Sequence, residues 1–234
     1  PQKAAFSKFF ARLSKYKIAA KVKDVSRSMV RRSYAEIPGF GRREALDSTT
    51  LKAWSNGGKN PKADKDAGWS VKQNTHGNKE YTFGYKLHLL VDCETETPIA
   101  ANVSAGNVND VTRATAVLSE ERFATGKAIG RFLMADAGYS SSHLFRIIQS
   151  QYKAHPIIQI NPSHKKLRER FGATENTPEW KALYAQRQAV ERIFSRLKGL
   201  YSLNHIRVRG LRKVSVHCYL SLIAMQATFR TTSE

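Results

Sequence analysis

The chain has 234 residues, of which 41% are hydrophobic, so it can bury a sizeable core and is not a disordered polymer. It carries 39 Lys and Arg against 19 Asp and Glu, which gives a formal net charge of +20. A charge excess of this size repels itself in a compact fold, and it indicates a polyanionic partner. The longest apolar run, around residues 219–227, is far shorter than the ~20 residues of a membrane span, so we expect nucleic acid and no membrane.

The cysteines indicate a reducing compartment. Cys93 and Cys218 lie far apart and lack the paired spacing of a zinc ribbon or a disulfide framework. The N-terminus also lacks the apolar core of a secretory signal. We therefore expect a cytoplasmic location.

Residues 1–40 are predicted to form a short basic helical segment, because apolar residues recur there at helical spacing and Lys and Arg fill the other faces. Pro38, Gly39 and Gly41 end this pattern and mark a boundary. We interpret the segment as a linker or as the remnant of a DNA-binding domain. The alternative is a solvated basic helical hairpin.

Residues 41–234 alternate between predicted strands and helices. Five strands are expected near residues 44–48, 81–91, 98–103, 132–136 and 155–160. Helices are expected near residues 110–121, 141–152, 177–200 and 211–230, with a long polar loop at 56–79 and a basic loop at 164–170. This order predicts an α/β domain with a mixed five-stranded sheet flanked by helices.

Three acidic residues stand out by their positions. Asp47 and Asp136 fall at the ends of predicted strands, where α/β sheets present ligands, and Glu191 falls in the middle of a long helix. Converging carboxylates can hold Mg²⁺ ions, and two such ions can drive an in-line phosphodiester displacement. The plainer alternatives are a turn or helix cap for each Asp and a solvated salt bridge for the Glu.

Three further residues share a face with Glu191 on the predicted helix. At ~100° per residue, Tyr184, Arg187 and Lys198 fall within a stripe of roughly 60° that includes the glutamate. Arg and Lys bind phosphate, and a tyrosine hydroxyl can donate to a phosphate oxygen. The alternative is an intrahelical Arg187–Glu191 ion pair, which contributes about 0.3–0.5 kcal/mol.

The spacing Tyr184-x2-Arg187-x3-Glu191-x6-Lys198 resembles the Y-R-E-K signature of the insertion-sequence-four superfamily of bacterial DDE transposases. Other motifs resemble this family in the same order along roughly residues 40–230. They are Leu46-Asp47-Ser48-Thr49, Gly84-Tyr85-Lys86-Leu87-His88, Gly106-Asn107-x2-Asp110 and Ala135-Asp136-Ala137-Gly138-Tyr139.

The resemblance implies an RNase H-like core in which Asp47, Asp136 and Glu191 bind two Mg²⁺ ions, for which Mn²⁺ can substitute. It implies metal-dependent cleavage at transposon ends, then transfer of the freed 3′-hydroxyl into target DNA. Tyr184, Arg187 and Lys198 would then hold phosphates of the DNA end.

The resemblance also implies partners and a location. The expected partners are double-stranded DNA, as terminal inverted repeats and as target, and a second copy of the chain in the active complex. The expected location is the bacterial cytoplasm, on the nucleoid. The alternatives are a truncated or domesticated module that binds DNA without cutting it, and another RNase H-like nuclease such as a resolvase.

The chain departs from this family in three respects. Residues 1–40 are short for the separate DNA-end recognition domain that relatives often have at the N-terminus. Gln188 stands where some relatives have Trp, and only 54 residues separate Asp136 from Glu191, which leaves little room for the β-rich insertion of other relatives. An aromatic wedge for a flipped base would have to come from elsewhere. The candidates are Trp54, Trp69 and Trp180.

Several other polar residues carry expectations of their own. His88 is either a core histidine or a residue near the site, and Asp110 is expected to cap a helix. Asp64 and Asp66 are expected to be solvated in the lysine-rich loop. Five lysines are candidate DNA contacts: Lys52, Lys59, Lys62, Lys65 and Lys72.

Overall fold

A computed structural model of the chain describes residues 3–57, 63–73, 76–125 and 132–231. Two candidate DNA contacts, Lys59 and Lys62, lie outside these ranges. The helices are α1 Lys3–Leu13, α2 Tyr16–Glu36, α3 Asp110–Thr125, α4 Ser142–Ser150, α5 Lys165–Phe171, α6 Pro178–Ala185, α7 Gln188–Gly199 and α8 Leu211–Thr231. The strands are β1 Arg43–Lys52, β2 Gly68–Gln73, β3 Lys79–Asp92, β4 Thr97–Ala105, β5 Phe132–Ala135 and β6 His155–Ile158.

The sheet is mixed, and β1 lies at its centre. β1 is antiparallel to β3 and parallel to β5, while β5 is parallel to β6 and β4 is antiparallel to β3. These five strands form the predicted RNase H-like α/β core, so the fold class is confirmed. The sheet also has a sixth strand, β2, which pairs with the first half of β3.

Helices cover both faces of the sheet. Leu46 and Leu90 point to one face, where they pack with residues of α3 and α4. Ala45 and Leu89 point to the other face, where they pack with residues of α7 and α8. Because side chains alternate along a strand, Asp47 shares the face of Ala45, which is the face that α7 covers.

The N-terminal helix α2 packs against α3 and α8. Lys23 and Arg27 both form ion pairs with Glu120 of α3. Ser26 donates a hydrogen bond to Gln226 of α8. The interpretation of residues 1–40 as a linker or a domain remnant stays a prediction.

Within the described ranges, no helix combines the length and the apolar character that crossing a membrane requires.

Two predicted loops are wrong in part. The lysine-rich segment 56–79 contains β2, whose apolar residues Trp69 and Val71 alternate with polar ones over only a few positions. The basic segment 164–170 contains α5, which buries Leu167. Both elements are short, so their periodicity is too brief to stand out among Lys, Arg and Gly.

The long helix predicted over residues 177–200 is interrupted. Helix α6 ends at Ala185 and α7 begins at Gln188, and Arg187 N donates to Tyr184 O at 3.0 Å in a tight turn between them. The break lets α6 bury Trp180 on Met134 and Ile157, in a cluster separate from the one that α7 joins. Tyr184 and Glu191 therefore lie on different helices, and the single continuous stripe is wrong.

Candidate active site

Asp47 and Asp136 are neighbours across two parallel strands. The register pairs Ala45 with Met134, and the same offset carried two residues further places Asp47 beside Asp136. Asp136 follows the last residue of β5, as predicted, and its Oδ1 accepts a hydrogen bond from Gly138 N at 2.9 Å. Asp47 lies in the middle of β1 rather than at its end, because β3 continues to pair with β1 beyond it.

Arg187 connects Asp47 to Glu191. Its Nη1 lies 3.3 Å from Asp47 Oδ2, and its Nη2 donates to Glu191 Oε1 at 2.7 Å. The intrahelical Arg187–Glu191 pair is therefore present, and the same guanidinium also reaches the sheet. The Glu191 side chain is 53% exposed, whereas Arg187 and Asp47 are each 19% exposed.

Burial opposes ionisation of Asp47. Burial raises the pKa of Asp47 to about 6, and the nearby charge of Asp136 adds to this shift. The Ser48 N–H, which donates to Asp47 Oδ1 at 2.7 Å, lowers the pKa, as do the charges of Arg187 and Lys72. Burial alone would lower the pKa of Arg187, but the charges of Asp47 and Glu191 raise it.

Asp47 and Asp136, called here the acidic pair, offer the carboxylate oxygens that a hard divalent cation prefers as ligands. Carboxylate oxygens are the ligands that Mg²⁺ and Mn²⁺ prefer, and Mg²⁺ commonly takes only one or two of them from a protein. A cation beside Asp47 and Asp136 would relieve their mutual repulsion, which adds to the effect of burial on the Asp47 pKa. In the described part of the chain, no three acidic, His or Cys side chains are grouped closely enough to hold a metal ion, since Arg187 stands between Asp47 and Glu191.

Tyr184 lies beside the acidic pair through contacts that the sequence did not predict. Its ring stacks on Trp180 with the centroids 4.6 Å apart, and its hydroxyl donates to Gln159 Oε1 at 3.4 Å. Gln159 directly follows β6, which places it next to Asp136 at the same edge of the sheet. Gln159 falls inside the strand predicted near residues 155–160, so only the earlier end of β6 reveals its position at this edge.

Lys198 lies near the other end of α7 and does not join the carboxylates. Burial lowers its pKa, and the nearby charge of Lys72 lowers it further. Lys72 is exposed on β2, and its charge acts on both Lys198 and Asp47. Lys72 and Lys198 therefore form a basic pair, of which Lys72 also acts on Asp47.

Tyr139 lies beneath the acidic pair. It is 1% exposed, and burial raises its pKa well above the usual range, with further contributions from Asp47, Asp110 and Asp136. The structure thus brings Tyr139, from the motif that contains Asp136, near Asp110, from the motif that begins at Gly106.

Of the two interpretations of His88, the structure agrees with a core histidine. It is fully buried, and its Nε2 lies 2.8 Å from Ser104 Oγ. Asp110 begins α3, but Asn109 Oδ1 accepts the hydrogen bond from the N–H of Val111. Asp110 instead pairs with Lys86 Nζ at 3.0 Å.

The expectation that Asp64 and Asp66 are solvated is wrong for Asp64, which is 3% exposed. Asp64 Oδ1 accepts hydrogen bonds from the Tyr85 hydroxyl at 2.6 Å and from Gly210 N at 3.1 Å. Asp66 Oδ2 accepts one from Leu211 N at 2.8 Å. Both carboxylates bind N–H groups at the start of α8, where a helix favours negative charge.

The mixed sheet, with an acidic pair on two adjacent parallel strands, defines the chain as an RNase H-like domain. Residues 39–226 match the family described as the transposase DDE domain. The chain belongs to this family of transposases.

One sequence relative also matches. The putative transposase for insertion sequence element IS6501 of Brucella ovis is 31% identical to the chain over 139 residues, which are 59% of this chain and 86% of that protein. This relative is thus also named as a transposase.

Solved structures of transposases match at low identity. The piggyBac transposase synaptic complex with hairpin DNA is 12% identical with a TM-score of 0.48, and the match covers 82% of this chain and 48% of that one. The Mos1 transposase paired-end complex is 11% identical with a TM-score of 0.30, and the match covers 82% of this chain and 63% of that one. The chain thus spans about half to two thirds of the solved chains that it matches.

Proposed function

We propose that the chain is a DNA transposase that cuts DNA at transposon ends and joins the freed 3′-hydroxyl to target DNA. The observation that carries the proposal is the placement of Asp47 beside Asp136, with Arg187 linking Asp47 to Glu191, inside a transposase DDE domain. The Y-R-E-K spacing supports a place in the insertion-sequence-four superfamily.

Asp47, Asp136 and Glu191 are the proposed catalytic and metal-binding residues. Two Mg²⁺ ions, or Mn²⁺ in their place, would supply activation of the attacking oxygen and stabilisation of the leaving oxygen. Asp47 and Asp136 would hold a cation together, and Asp47 would bind it as the ionised carboxylate. Glu191 would be the third carboxylate ligand, since Arg187 holds it next to Asp47.

Arg187, Tyr184 and Lys198 are the proposed DNA-binding residues. The Arg187 guanidinium, which pairs with Asp47 and Glu191, has the planar fork that binds a phosphate. The Tyr184 hydroxyl can exchange its long hydrogen bond with Gln159 for a phosphate oxygen. Lys198, together with Lys72, supplies positive charge further along the DNA backbone.

The proposed partners follow from the reaction. The substrates are double-stranded DNA carrying terminal inverted repeats and double-stranded target DNA. A transposon has two ends, so we propose that the active complex is a homodimer. The bacterial nucleoid is the corresponding location.

A cleavage assay with the full chain tests the proposal. A duplex taken from the inverted repeats that flank the gene is incubated with Mn²⁺ or Mg²⁺, and nicking and joining to a plasmid are measured. We expect Asp136→Ala to abolish both reactions while leaving duplex affinity intact. Asp24→Ala, on an exposed aspartate of α2, is the matched control and should cut normally.

The outcomes separate the proposal from its alternatives. Cleavage by Asp136→Ala at the wild-type rate would overturn the site. Salt-sensitive binding without cleavage in either metal would favour a non-catalytic DNA-binding module. Cleavage without joining of a free 3′-hydroxyl would favour a nuclease such as a resolvase.

A further inference from the structure

The orientation of the Asp136 carboxylate depends on the short turn that follows β5, residues 136–140. Asp136 Oδ1 accepts a hydrogen bond from Gly138 N at 2.9 Å, and Ser140 N donates to Ala137 O at 3.1 Å. Both bonds lie within the turn, so they fix its internal shape but not its position relative to the loops around it. A contact outside the turn is what can fix that position.

The Ser140 hydroxyl makes such a contact. Ser140 is 5% exposed, and its Oγ accepts a hydrogen bond from Asn161 N at 3.1 Å and lies 3.0 Å from His164 Nδ1. Asn161 and His164 belong to the loop between β6 and α5. Because β5 and β6 are parallel neighbours, this loop leaves the sheet at the same edge as the turn that carries Asp136. One buried hydroxyl thus joins the segments that follow two adjacent strands.

The loop between β6 and α5 is itself held firmly. Side chains bind both polar backbone groups of Ile160, since its N–H donates to Glu175 Oε1 at 3.0 Å and its carbonyl accepts from Arg168 Nη2 at 3.2 Å. His164 O accepts a hydrogen bond from Arg168 N at 3.0 Å at the start of α5. A contact with this loop therefore restrains the turn that it touches.

The two members of the acidic pair differ in how their backbones are fixed. Asp47 lies within β1 and is paired with Leu89 of β3, so the sheet fixes its place. Asp136 lies one residue beyond the end of β5, so its place depends on the turn. The two carboxylates must stay close enough to share a cation although their charges repel each other. The group that restrains the turn therefore bears on metal binding.

We propose that Ser140 is a positioning residue, whose hydroxyl, through Asn161 and His164, holds Asp136 where it can share a cation with Asp47. The inference rests on the proposed function and adds a residue that acts on its metal site without touching the metal. Removing groups that orient metal ligands commonly weakens metal binding by about 10- to 100-fold. A hydroxyl that only satisfies a buried N–H would instead stabilise the fold and leave metal affinity unchanged.

Binding of Mn²⁺ to the full chain tests the proposal without requiring catalysis. Electron paramagnetic resonance detects free Mn²⁺ during a titration without DNA and so gives the Kd. We expect Ser140→Ala to weaken Mn²⁺ binding by about 10-fold, and Asp136→Ala to abolish the same binding. His164→Ala should give a smaller loss, because the bond from Asn161 N remains. His164→Asn should recover most of it, since its amide can reach the position of the imidazole Nδ1.

The matched control is Ser26→Ala, which removes an equally buried hydroxyl. Ser26 is 6% exposed and donates to Gln226 Oε1 at 3.1 Å, so it also joins two elements of the fold. Ser26→Ala should destabilise the protein to urea about as much as Ser140→Ala does, but keep the wild-type Kd for Mn²⁺. Cleavage adds a second comparison, in which Ser140→Ala should need about 10-fold more Mn²⁺ for half its maximal rate. At saturating Mn²⁺ its rate should approach that of the wild type, because all three carboxylates are intact.

Two outcomes would overturn the proposal while leaving the metal site in place. They are a wild-type Kd for Ser140→Ala, and equal losses of Mn²⁺ affinity in Ser140→Ala and Ser26→Ala. If Ser140→Ala does not fold, His164→Ala decides the matter, and a wild-type Kd in that variant overturns the role of the contact. Failure of the proposed function gives a different result, namely wild-type protein without any Mn²⁺ binding that Asp136→Ala removes. That result would overturn the metal site and the positioning role together.

Discussion

Arg187 Nη1 lies 3.3 Å from Asp47 Oδ2, a contact between residues that are 140 positions apart. Arg187 occupies the turn between α6 and α7, so its side chain leaves the helices where they meet the sheet. The guanidinium thereby balances part of the negative charge that Asp47 and Asp136 concentrate on adjacent strands. It also fixes the start of α7, and with it Glu191, relative to β1.

Two substitutions of Arg187 should separate the effect of its positive charge on cleavage from the effect of its planar guanidinium. We expect Arg187→Gln to lower the cleavage rate by about 10- to 100-fold, because two charge-assisted hydrogen bonds are lost. Arg187→Lys keeps the charge without the fork and should recover only part of the rate. Single-turnover cleavage of a labelled transposon end measures both effects.

Arg192→Gln is the control for this comparison, since Arg192 lies on the same helix and pairs with Glu96. It should cut at nearly the wild-type rate. Equal rates for Arg187→Gln and Arg192→Gln would show that the Asp47 contact has no part in the reaction.

Asp47 should make the metal-free protein less stable at higher pH. The pKa of Asp47 is about 6 in the folded state, against 3.8 as its ordinary value, so the folded state binds more protons between these pH values. The free energy of unfolding therefore falls as pH rises through this window and stays lower above it. We expect Asp47→Asn to be more stable than wild type by about 2 kcal/mol at pH 8, with little difference near pH 4.

Urea unfolding at several pH values measures this difference. Mn²⁺ should stabilise the wild type and not Asp47→Asn, which would narrow the gap at pH 8. Asp24→Asn, at an exposed aspartate, should show neither effect. A gap between wild type and Asp47→Asn that is constant from pH 4 to pH 8 would contradict the assignment of the raised pKa to Asp47.

The core of the fold could be predicted because its elements are long or strongly apolar. Apolar residues alternate along β3 from Tyr81 to Leu89, and β5 is a short apolar run directly followed by Asp136. The break between α6 and α7 could not be predicted, since Gln186, Arg187 and Gln188 are all good helix formers. Packing of Trp180 in its own cluster determines the break, and packing is a tertiary property.

The site was only partly accessible from the sequence. Motif spacing selected Asp47, Asp136 and Glu191, but their relative positions depend on strand register, which links residues 89 positions apart. The ion pair between Arg187 and Glu191 could be predicted from helical spacing. The contacts of Arg187 with Asp47 and of Tyr184 with Gln159 follow from the sheet and the helix break together.

His88 should make the fold sensitive to acid. Burial lowers its pKa from 6.5 to about 4, and Lys86 and Arg113 act in the same direction, while Asp110 opposes them. Between these pH values the unfolded chain binds more protons than the folded protein, so the free energy of unfolding falls as pH decreases from about 6.5 to 4. The expected loss is about 2–3 kcal/mol.

His88→Gln should remove this part of the pH dependence, since glutamine does not titrate and can still bond to Ser104. His143→Gln, at an exposed histidine of α4, is the control and should retain the acid sensitivity of the wild type. Thermal unfolding followed by circular dichroism at pH 4.5 and 7 compares the three proteins. Parallel pH profiles for wild type and His88→Gln would assign the acid sensitivity to other groups.

The basic pair Lys72 and Lys198 should reveal itself in the salt dependence of DNA binding. Each lysine that neutralises a phosphate contributes about 0.9 to the slope of log affinity against log salt concentration. We expect Lys198→Ala to reduce the slope by about one and the double variant with Lys72→Ala to reduce it by about two. Because burial and Lys72 already lower the pKa of Lys198, a phosphate nearby also relieves an unfavourable charge.

Lys153→Ala provides the matched control for these lysines. Lys153 is exposed just before β6, so it lies at the opposite end of that strand from Gln159 and the acidic pair. Its removal should leave the slope unchanged if DNA runs along the edge that carries Asp136. Equal slopes for Lys198→Ala and wild type would place the DNA backbone away from α7, since a lysine that touches no phosphate releases no counterion.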